Sequence, residues 1–328
     1  MVTSKDVAKA ANVSISTVSR VFSNPSLVNE ETIEKIKRIA EELNYFPNTA
    51  AKSLKLNVTN NIGVVISDIN NPFYIHILKE MSNNSLLNKY RFLIAFSEET
   101  EDIEYDRLSS LVASKVDALV FTPIGIDNNK IQKMITDNDV VSLQLYRNVY
   151  KNIDSLTIDD EYGAYLATKE LLDNGHTNIV LIDYLLAIPT NRNLGYIRAF
   201  KEHGLNYNPN NIITLDITND YENELFNKLD TINPTAIIPS SYIFANSTFS
   251  YLQKRNKKIK DDISLLIYDD NEIAKFMNIS VISHPLKEIA DTSSTILANR
   301  LKDHNLEPQH LVIKPFLVKR DSIKTIKH

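Results

Sequence analysis

The chain of 328 residues has no cysteine. That excludes a disulfide framework, a thiol nucleophile and a cysteine-held metal, and it fits a reducing compartment. Glycine is scarce: six residues (63, 125, 163, 175, 195, 204) build neither a G-x-G-x-x-G fingerprint nor a P-loop. No G-x-S-x-G nucleophile elbow is present. The seven histidines (76, 176, 203, 284, 304, 310, 328) show no metal-ligand spacing, and His304 and His310 fall in a polar stretch near the tail. No apolar run reaches the roughly 18 residues that a membrane span needs. The first 30 residues hold Lys5, Asp6, Lys9, Arg20 and Glu30 around no apolar core, so they do not read as an export signal. The expectation is a cytoplasmic protein that is not an enzyme, with no catalytic residue, metal, cofactor or membrane.

What is present is a soluble globular composition, 43% hydrophobic and 23% charged, long enough for two or three domains. The net charge of −5 is uneven. Residues 1–60 carry eight Lys/Arg against six Asp/Glu, and the remainder 28 against 35. A mildly basic head on an acidic body suits phosphate contact by the head alone.

The head opens with two short helices and a tight turn. Thr3 is an N-cap, and Asp6 sits in the first turn, where the helix dipole favours a carboxylate. Val7, Ala10 and Ala11 make the inward stripe, and Asn12 falls where the turn needs a left-handed backbone. Ser14 caps helix two. Val18, Val21 and Phe22 then face inward, and Ile15, Ser16, Thr17, Ser19 and Arg20 face outward. Small hydroxyls with one arginine suit a DNA major groove, where hydroxyls reach phosphates and Arg bonds guanine bidentately. A third helix from about Asn29 to Asn44 carries the stripe Ile33, Ile36, Ala40 and Leu43 and reads as scaffold. The stretch from Asn48 to Leu56 is short and polar and reads alone as a linker. Its Leu54 between Lys52 and Lys55 equally fits an apolar wedge flanked by cations, which minor-groove insertion requires.

These residues resemble the LacI/GalR family of bacterial repressors. The resemblance rests on Asp6-Val7-Ala8, Val13-Ser14, Thr17-Val18-Ser19-Arg20-Val21 and Leu43-Asn44-Tyr45-x-Pro47-Asn48. It implies that Ile15, Ser16 and Arg20 read bases and that Lys52-Ser53-Leu54 belongs to a hinge that folds on the operator. The expected DNA-binding set is Thr3, Ser4, Ser14, Ile15, Ser16, Thr17, Ser19, Arg20, Asn48, Ala51, Lys52, Leu54 and Lys55.

From Ile62 onward apolar strands alternate with amphipathic helices. Strands are predicted at 62–66, 92–96, 118–121, 140–145, 179–182, 212–215, 236–238, 264–267 and 316–318. Helices are predicted at 73–88, 161–174, 193–203 and 286–303, among others. That alternation means parallel sheets flanked by helices, and the length favours two lobes with a ligand cleft at the strand C-termini. Asn71-Pro72-Phe73-Tyr74, Val116-Asp117-Ala118, Gly175-His176-x-Asn178-Ile179, Arg192-x-x-Gly195-Tyr196-x-x-Ala199-Phe200, Tyr268-Asp269-Asp270 and Arg320-Asp321-Ser322 extend the resemblance. The fold class expected is α/β: an all-α helix-turn-helix head (residues 1–46), a hinge (47–59) and a two-lobe periplasmic-binding-protein-like core with parallel sheets. Residues 60–159 with 286–314 make its N-terminal lobe, and 160–285 with 315–328 its C-terminal lobe.

Phe73, Tyr74, Tyr146, Arg147, Arg192, Ser241, Asp269 and His284 are the effector-binding residues that the resemblance implies. Phe73 and Tyr74 equally suit a core, Arg147 and Arg192 surface ion pairs, and Asp269 and Asp270 a lobe interface. His176 reads as a helix terminator. The chain departs from the family pattern at Tyr146, where the family usually carries aspartate, at Ser240-Ser241, where it usually carries Asn-Asp, at Ile267, where it carries glycine, and at His284, where it often carries glutamine. A serine offers a sugar hydroxyl only a neutral contact where a carboxylate offers a charge-assisted one. The effector expected is a sugar or sugar phosphate not matched to the commonest pentose or hexose pocket, with a disaccharide, another ligand or no small-molecule effector as the alternatives. The partners expected are pseudo-palindromic double-stranded operator DNA, the small-molecule effector and a second copy of the chain. Only six residues follow Ser322, too few for the leucine-heptad tail of the family's tetramers, so a homodimer is expected. A catabolite-control regulator moved by a protein partner and, more remotely, a solute-binding protein are the alternatives.

Overall fold

The computed structural model describes residues 2–46, 58–125 and 129–326. It contains two compact units, Met1–Thr59 and Asn60–His328.

The first unit is helical: α1 (Ser4–Ala11), α2 (Ile15–Ser23) and α3 (Glu30–Glu42). The Thr3 hydroxyl and amide both donate to the Asp6 carboxylate, at 2.7 and 2.8 Å, and hold its pKa below the usual range. Helix α1 stops at Asn12, whose φ of 54° and ψ of 48° are left-handed. Asn tolerates that conformation better than other residues with a Cβ. The Val13 N–H then returns to the Ala8 carbonyl at 3.0 Å. Ser14 caps α2 by accepting from the Thr17 N–H at 3.0 Å, and Asn29 caps α3 through Thr32 at 2.8 Å. The core is Val7, Ala8, Ala11, Val18, Val21, Ile36 and Ala40, with Phe22 against Tyr45 at 5.9 Å between ring centroids. The predicted stripe had Ala10 where the structure has Ala8: Ala10 is exposed, and α1 packs through the narrower row 7, 8, 11.

The second unit is α/β. Its elements are β1 (Asn61–Ile66), α4 (Pro72–Asn83), β2 (Arg91–Phe96), α5 (Glu101–Ala113), β3 (Ala118–Phe121), α6 (Asn129–Asp137), β4 (Val141–Leu145) and β5 (Asp154–Ile158). There follow α7 (Asp160–Asp173), β6 (Ile179–Tyr184), α8 (Arg192–Glu202), β7 (Ile212–Leu215), α9 (Glu222–Ile232), β8 (Ala236–Pro239), α10 (Tyr242–Lys254) and β9 (Ser264–Tyr268). Last come α11 (Glu272–Phe276), β10 (Ser280–Ser283), α12 (Leu286–Arg300), β11 (His310–Ile313) and β12 (Phe316–Val318).

These strands form two sheets of six. The first, in order β11-β5-β4-β3-β1-β2, is parallel throughout. The second, β12-β10-β9-β8-β6-β7, is parallel except for the antiparallel edge strand β12. Inner strands are buried on both faces and so read as unbroken apolar runs, such as Val64-Val65-Ile66 and Leu265-Leu266-Ile267. The chain passes between the sheets three times: after β5, after β10 and between β11 and β12. Helix α12 follows a strand of the second sheet but buries Ile289, Ala290, Ile296 and Leu297 in the core of the first. Helices α7 and α8 cross so closely that a Cβ on Gly195 would lie 1.9 Å from the Glu161 carbonyl oxygen. Only glycine fits that crossing.

Three strands escape the sequence pattern. In β5 and β10, Asp154, Ser155, Thr157, Ser280 and Ser283 interrupt the apolar run. Strand β11 is a four-residue edge whose Val312 is 62% exposed. His310, placed by the sequence in a polar stretch, lies in that strand and bonds the Ser155 hydroxyl at 2.8 Å. The helix predicted over 73–88 ends at Asn83: Asn84 turns extended and accepts from the Leu86 N–H at 2.9 Å.

Candidate functional site

Parallel α/β sheets bind ligands beyond the carboxyl ends of their strands. Here the carboxyl ends of both sheets meet one cavity of about 390 Å³. The segments after β1 and β4 bring Phe73 and Tyr74, at the start of α4, with Tyr146 and Arg147, and the segments after β6, β8, β9 and β10 bring Arg192, at the start of α8, with Ser241, Asp269 and His284. All eight residues singled out from the sequence therefore line one space.

The wall on the first sheet is aromatic. Phe73 packs on Tyr146 at 4.8 Å between centroids, Tyr74 meets Tyr146 edge-on at 5.3 Å, and Phe73 lies 4.9 Å from the His284 ring. Such rings offer apolar faces to the C–H surface of a polyol and keep water out. Ser67 donates to the Tyr74 hydroxyl at 3.0 Å, whereas the buried Tyr146 hydroxyl has no partner among the described residues. Burial pushes both phenols above their ordinary pKa, so both stay neutral donors. Tyr146 and Asp269 have φ of 68° and 71°. Left-handed backbone costs a residue with a Cβ about 1 kcal/mol or more, and strain of this kind gathers at functional sites.

The polar wall consists of two arginines, each held by carboxylates. Arg147 grips Glu99 with both terminal nitrogens at 3.0 Å and donates to the Pro123 carbonyl at 2.9 Å. Arg192 donates to Asp160 from Nε and Nη2 at 3.1 and 2.9 Å, and from Nη1 to Asp183 and Ser240, each at 3.1 Å. Asp183 also accepts from Ser240 at 2.7 Å and Thr190 at 2.5 Å. The Tyr268 ring lies 4.8 Å from the Arg192 guanidinium carbon. Burial works to lower the Arg192 pKa, but Asp160 and Asp183 outweigh it and raise it far above the ordinary value. Burial pushes the Asp160 carboxyl up, against the pull of Arg192. His284 Nδ1 lies 2.9 Å from an Asp269 oxygen.

The arginines are ion-paired, though inside the cavity they line rather than on the surface. The exchange of aspartates for Tyr146 and Ser240-Ser241 was expected to strip carboxylate from this space. The structure corrects that, since Glu99 after β2, Asp160 at the start of α7 and Asp183 in β6 supply it. One signal for Asp183 was visible, a carboxylate inside the otherwise apolar run of β6. Glu99 and Asp160 carried none. His176, read as a helix terminator, is buried between the Thr235 hydroxyl and the Lys324 carbonyl, at 2.9 and 2.8 Å. Asp270 pairs with Arg320 at 2.6 Å.

Behind Arg147 lies Glu104, 1% exposed, accepting from the Ile124 N–H at 3.3 Å. Burial pushes its carboxyl from 4.5 up to about 7. A carboxyl raised in the folded state binds protons more tightly there than in the unfolded chain. Stability is therefore highest below pH 4.5 for this group and falls as pH climbs to about 7. Glu104→Gln should remove that slope and stabilise the protein at pH 8 by up to ~3 kcal/mol. Urea unfolding at pH 5 and pH 8 checks this; an unchanged slope would mean that water reaches the carboxyl.

On the helical unit, the start of α2 faces solvent. Ile15 is 49% exposed, and Ser16, Ser19 and Arg20 are exposed beside it. Thr17, expected outward, is half-buried, and its hydroxyl lies 2.7 Å from that of the capping Ser14. Thr3 and Ser4 stand at the start of α1, with the Thr3 hydroxyl engaged by Asp6. Asn48, Ala51, Lys52, Leu54 and Lys55, the expected hinge contacts, lie outside the described residues.

Residues 3–48 match the family described as bacterial regulatory proteins, lacI family, and residues 59–320 match periplasmic binding proteins and sugar binding domain of LacI family. The ribose operon repressor of Haemophilus influenzae is 31% identical over 339 residues, covering 100% of both chains. The transcriptional repressor PurR of Aliivibrio salmonicida is 29% identical, covering 98% of this chain and 99% of that one. Among solved structures, the regulator CelR in complex with cellobiose is 24% identical over 98% of this chain and 100% of that one, with a TM-score of 0.70. The Lac repressor dimer bound to operator and the anti-inducer ONPF is 22% identical over 98% of each chain, with a TM-score of 0.81.

Proposed function

Because the chain belongs to the LacI family of bacterial regulatory proteins, we propose that it represses transcription by gripping operator DNA as a homodimer, under control of a sugar-type effector. One observation carries the reading: an exposed recognition surface on α2 shares its chain with a cavity walled by aromatic rings on one side and ion-paired arginines on the other. Ile15 suits a thymine methyl, Arg20 a guanine edge, and Ser16 and Ser19 phosphates or bases. Asn48, Ala51, Lys52, Leu54 and Lys55 serve as the hinge. Residues 60–159 with 286–314 act as one lobe, and 160–285 with 315–328 as the other. The protein works in the cytoplasm, and the ion-paired groups of the cavity hold a ligand rather than perform catalysis.

The two functions are coupled by differential affinity. A ligand shifts the operator equilibrium only as far as it prefers one lobe arrangement over the other, typically by about 1–3 kcal/mol. The test is selection of duplexes from a random library by the full chain, repeated with ribose and with cellobiose. A pseudo-palindrome should be enriched, and one sugar should change its affinity roughly 5- to 150-fold. Recovery of unrelated duplexes, with binding set by salt alone, would sink the proposal.

A further inference from the structure

We propose that the cavity accepts uncharged polyhydroxyl ligands and refuses anionic ones such as sugar phosphates, and that Glu99 is a specificity-determining residue because it cancels Arg147. This rests on the reading of the cavity as the effector site.

Charge balance is the first argument. Asp68, Glu99, Asp160 and Asp269 line the cavity with Arg147 and Arg192, and Asp183 backs Arg192. Five carboxylates thus stand against two guanidinium groups. A phosphate would bring up to two further negative charges into a cavity of about 390 Å³, where partly buried charges are screened by salt much less than exposed ones.

The second argument is geometry. Phosphate is held best by two parallel N–H bonds from one guanidinium. Arg192 has spent four of its five N–H groups on Asp160, Asp183 and Ser240. Arg147 has closed its terminal edge on Glu99 and given a third N–H to Pro123. An anion on its remaining N–H groups would sit beside the Glu99 carboxylate.

A neutral polyol meets none of these costs. Its hydroxyls can donate to the second oxygens of Asp160 and Asp269, for which no partner is seen among the described residues. The orphan Tyr146 hydroxyl supplies a further hydrogen bond, and the rings of Phe73, Tyr74 and Tyr146 take the apolar face.

The test uses the full chain in thermal-shift and calorimetric titrations with ribose, glucose and cellobiose, and with ribose 5-phosphate and glucose 6-phosphate. For the natural protein at least one neutral sugar should raise the melting temperature, with its ester at least tenfold weaker. Glu99→Gln, which frees Arg147, should narrow or reverse that ratio. Asp160→Asn is a second variant in which Arg192 keeps Asp183; it should move the ratio the same way, and melting without ligand shows that each variant folds. An ester bound by the natural protein as tightly as its parent sugar overturns the proposal but leaves the effector site standing. A ratio unmoved in both folded variants does the same. No binding of any of the five compounds by any of the three proteins counts against the effector site and the proposal together.

Discussion

Arg192→Ala should be among the most destabilising single changes in the chain, costing about 3–5 kcal/mol of folding free energy. The guanidinium stands between the carboxylates of Asp160 and Asp183 and is 12% exposed, with Asp183 at 7%. Removing it leaves two like charges facing each other in a site with little water. It also leaves the Ser240 and Thr190 hydroxyls as the only side-chain donors to Asp183 among the described residues. For a unit of this size, each kcal/mol shifts the melting temperature by about 2–4 °C, so a fall on the order of 10 °C is expected. The loss has a pH signature. Without Arg192 the main pull against the burial that raises the Asp160 carboxyl is gone, so that carboxyl titrates higher still in the folded state than in the unfolded chain. A raised folded pKa costs stability as pH rises, so the deficit should be large at pH 8 and shrink towards pH 5. Arg192→Lys keeps a charge but loses the fork, and should recover only part of the stability. Urea unfolding of the three proteins at the two pH values checks this. A deficit under about 1 kcal/mol, flat with pH, would mean that water already solvates the two carboxylates. Effector response should vanish with Arg192→Ala even where the protein remains folded.

What the sequence disclosed depended on how local the cause was. The head was readable almost to the residue, because caps, turn residues and helix spacing act over three or four positions. Thr3, Asn12, Ser14 and Asn29 each do in the structure what their chemistry dictates. The parallel sheets were legible where strands are buried on both faces and fail to be so where function intrudes. Strand β5 opens on Asp154, which Arg300 needs at 2.8 Å, and β10 carries Ser280, which the backbone of Arg320 needs at 2.9 Å. Polar partners that make these strands necessary also hide them from a hydrophobic pattern. The eight cavity residues were found because the resemblance supplied them, not because periodicity did. Glu99 and Asp160 were missed because pairing across 48 and 32 residues leaves no trace in spacing.

Arg20→Ala should leave folding unchanged and cripple recognition. Arg20 is exposed in the last turn of α2 and has no ion-pair partner among the described residues, so its removal uncovers no buried charge. Surface changes of that kind usually fall within about 0.5 kcal/mol. At the operator the cost is of another order: a bidentate contact to guanine is worth about 1–3 kcal/mol of discrimination. A dimer on a pseudo-palindrome makes the contact twice, so the specific affinity should fall roughly 30-fold or more, with choice relaxed at one base pair in each half-site. The dependence on salt separates this role from a phosphate contact. Loss of a base-reading contact weakens the preferred duplex and leaves the slope of log affinity against log salt nearly unchanged. Loss of a phosphate contact weakens all duplexes alike and lowers that slope by about one per copy. Titrating the preferred duplex and a half-site variant at three salt concentrations decides between them. A uniform loss with a shallower slope would move base reading from Arg20 to Ile15 and Ser16, the exposed side chains at the start of the helix.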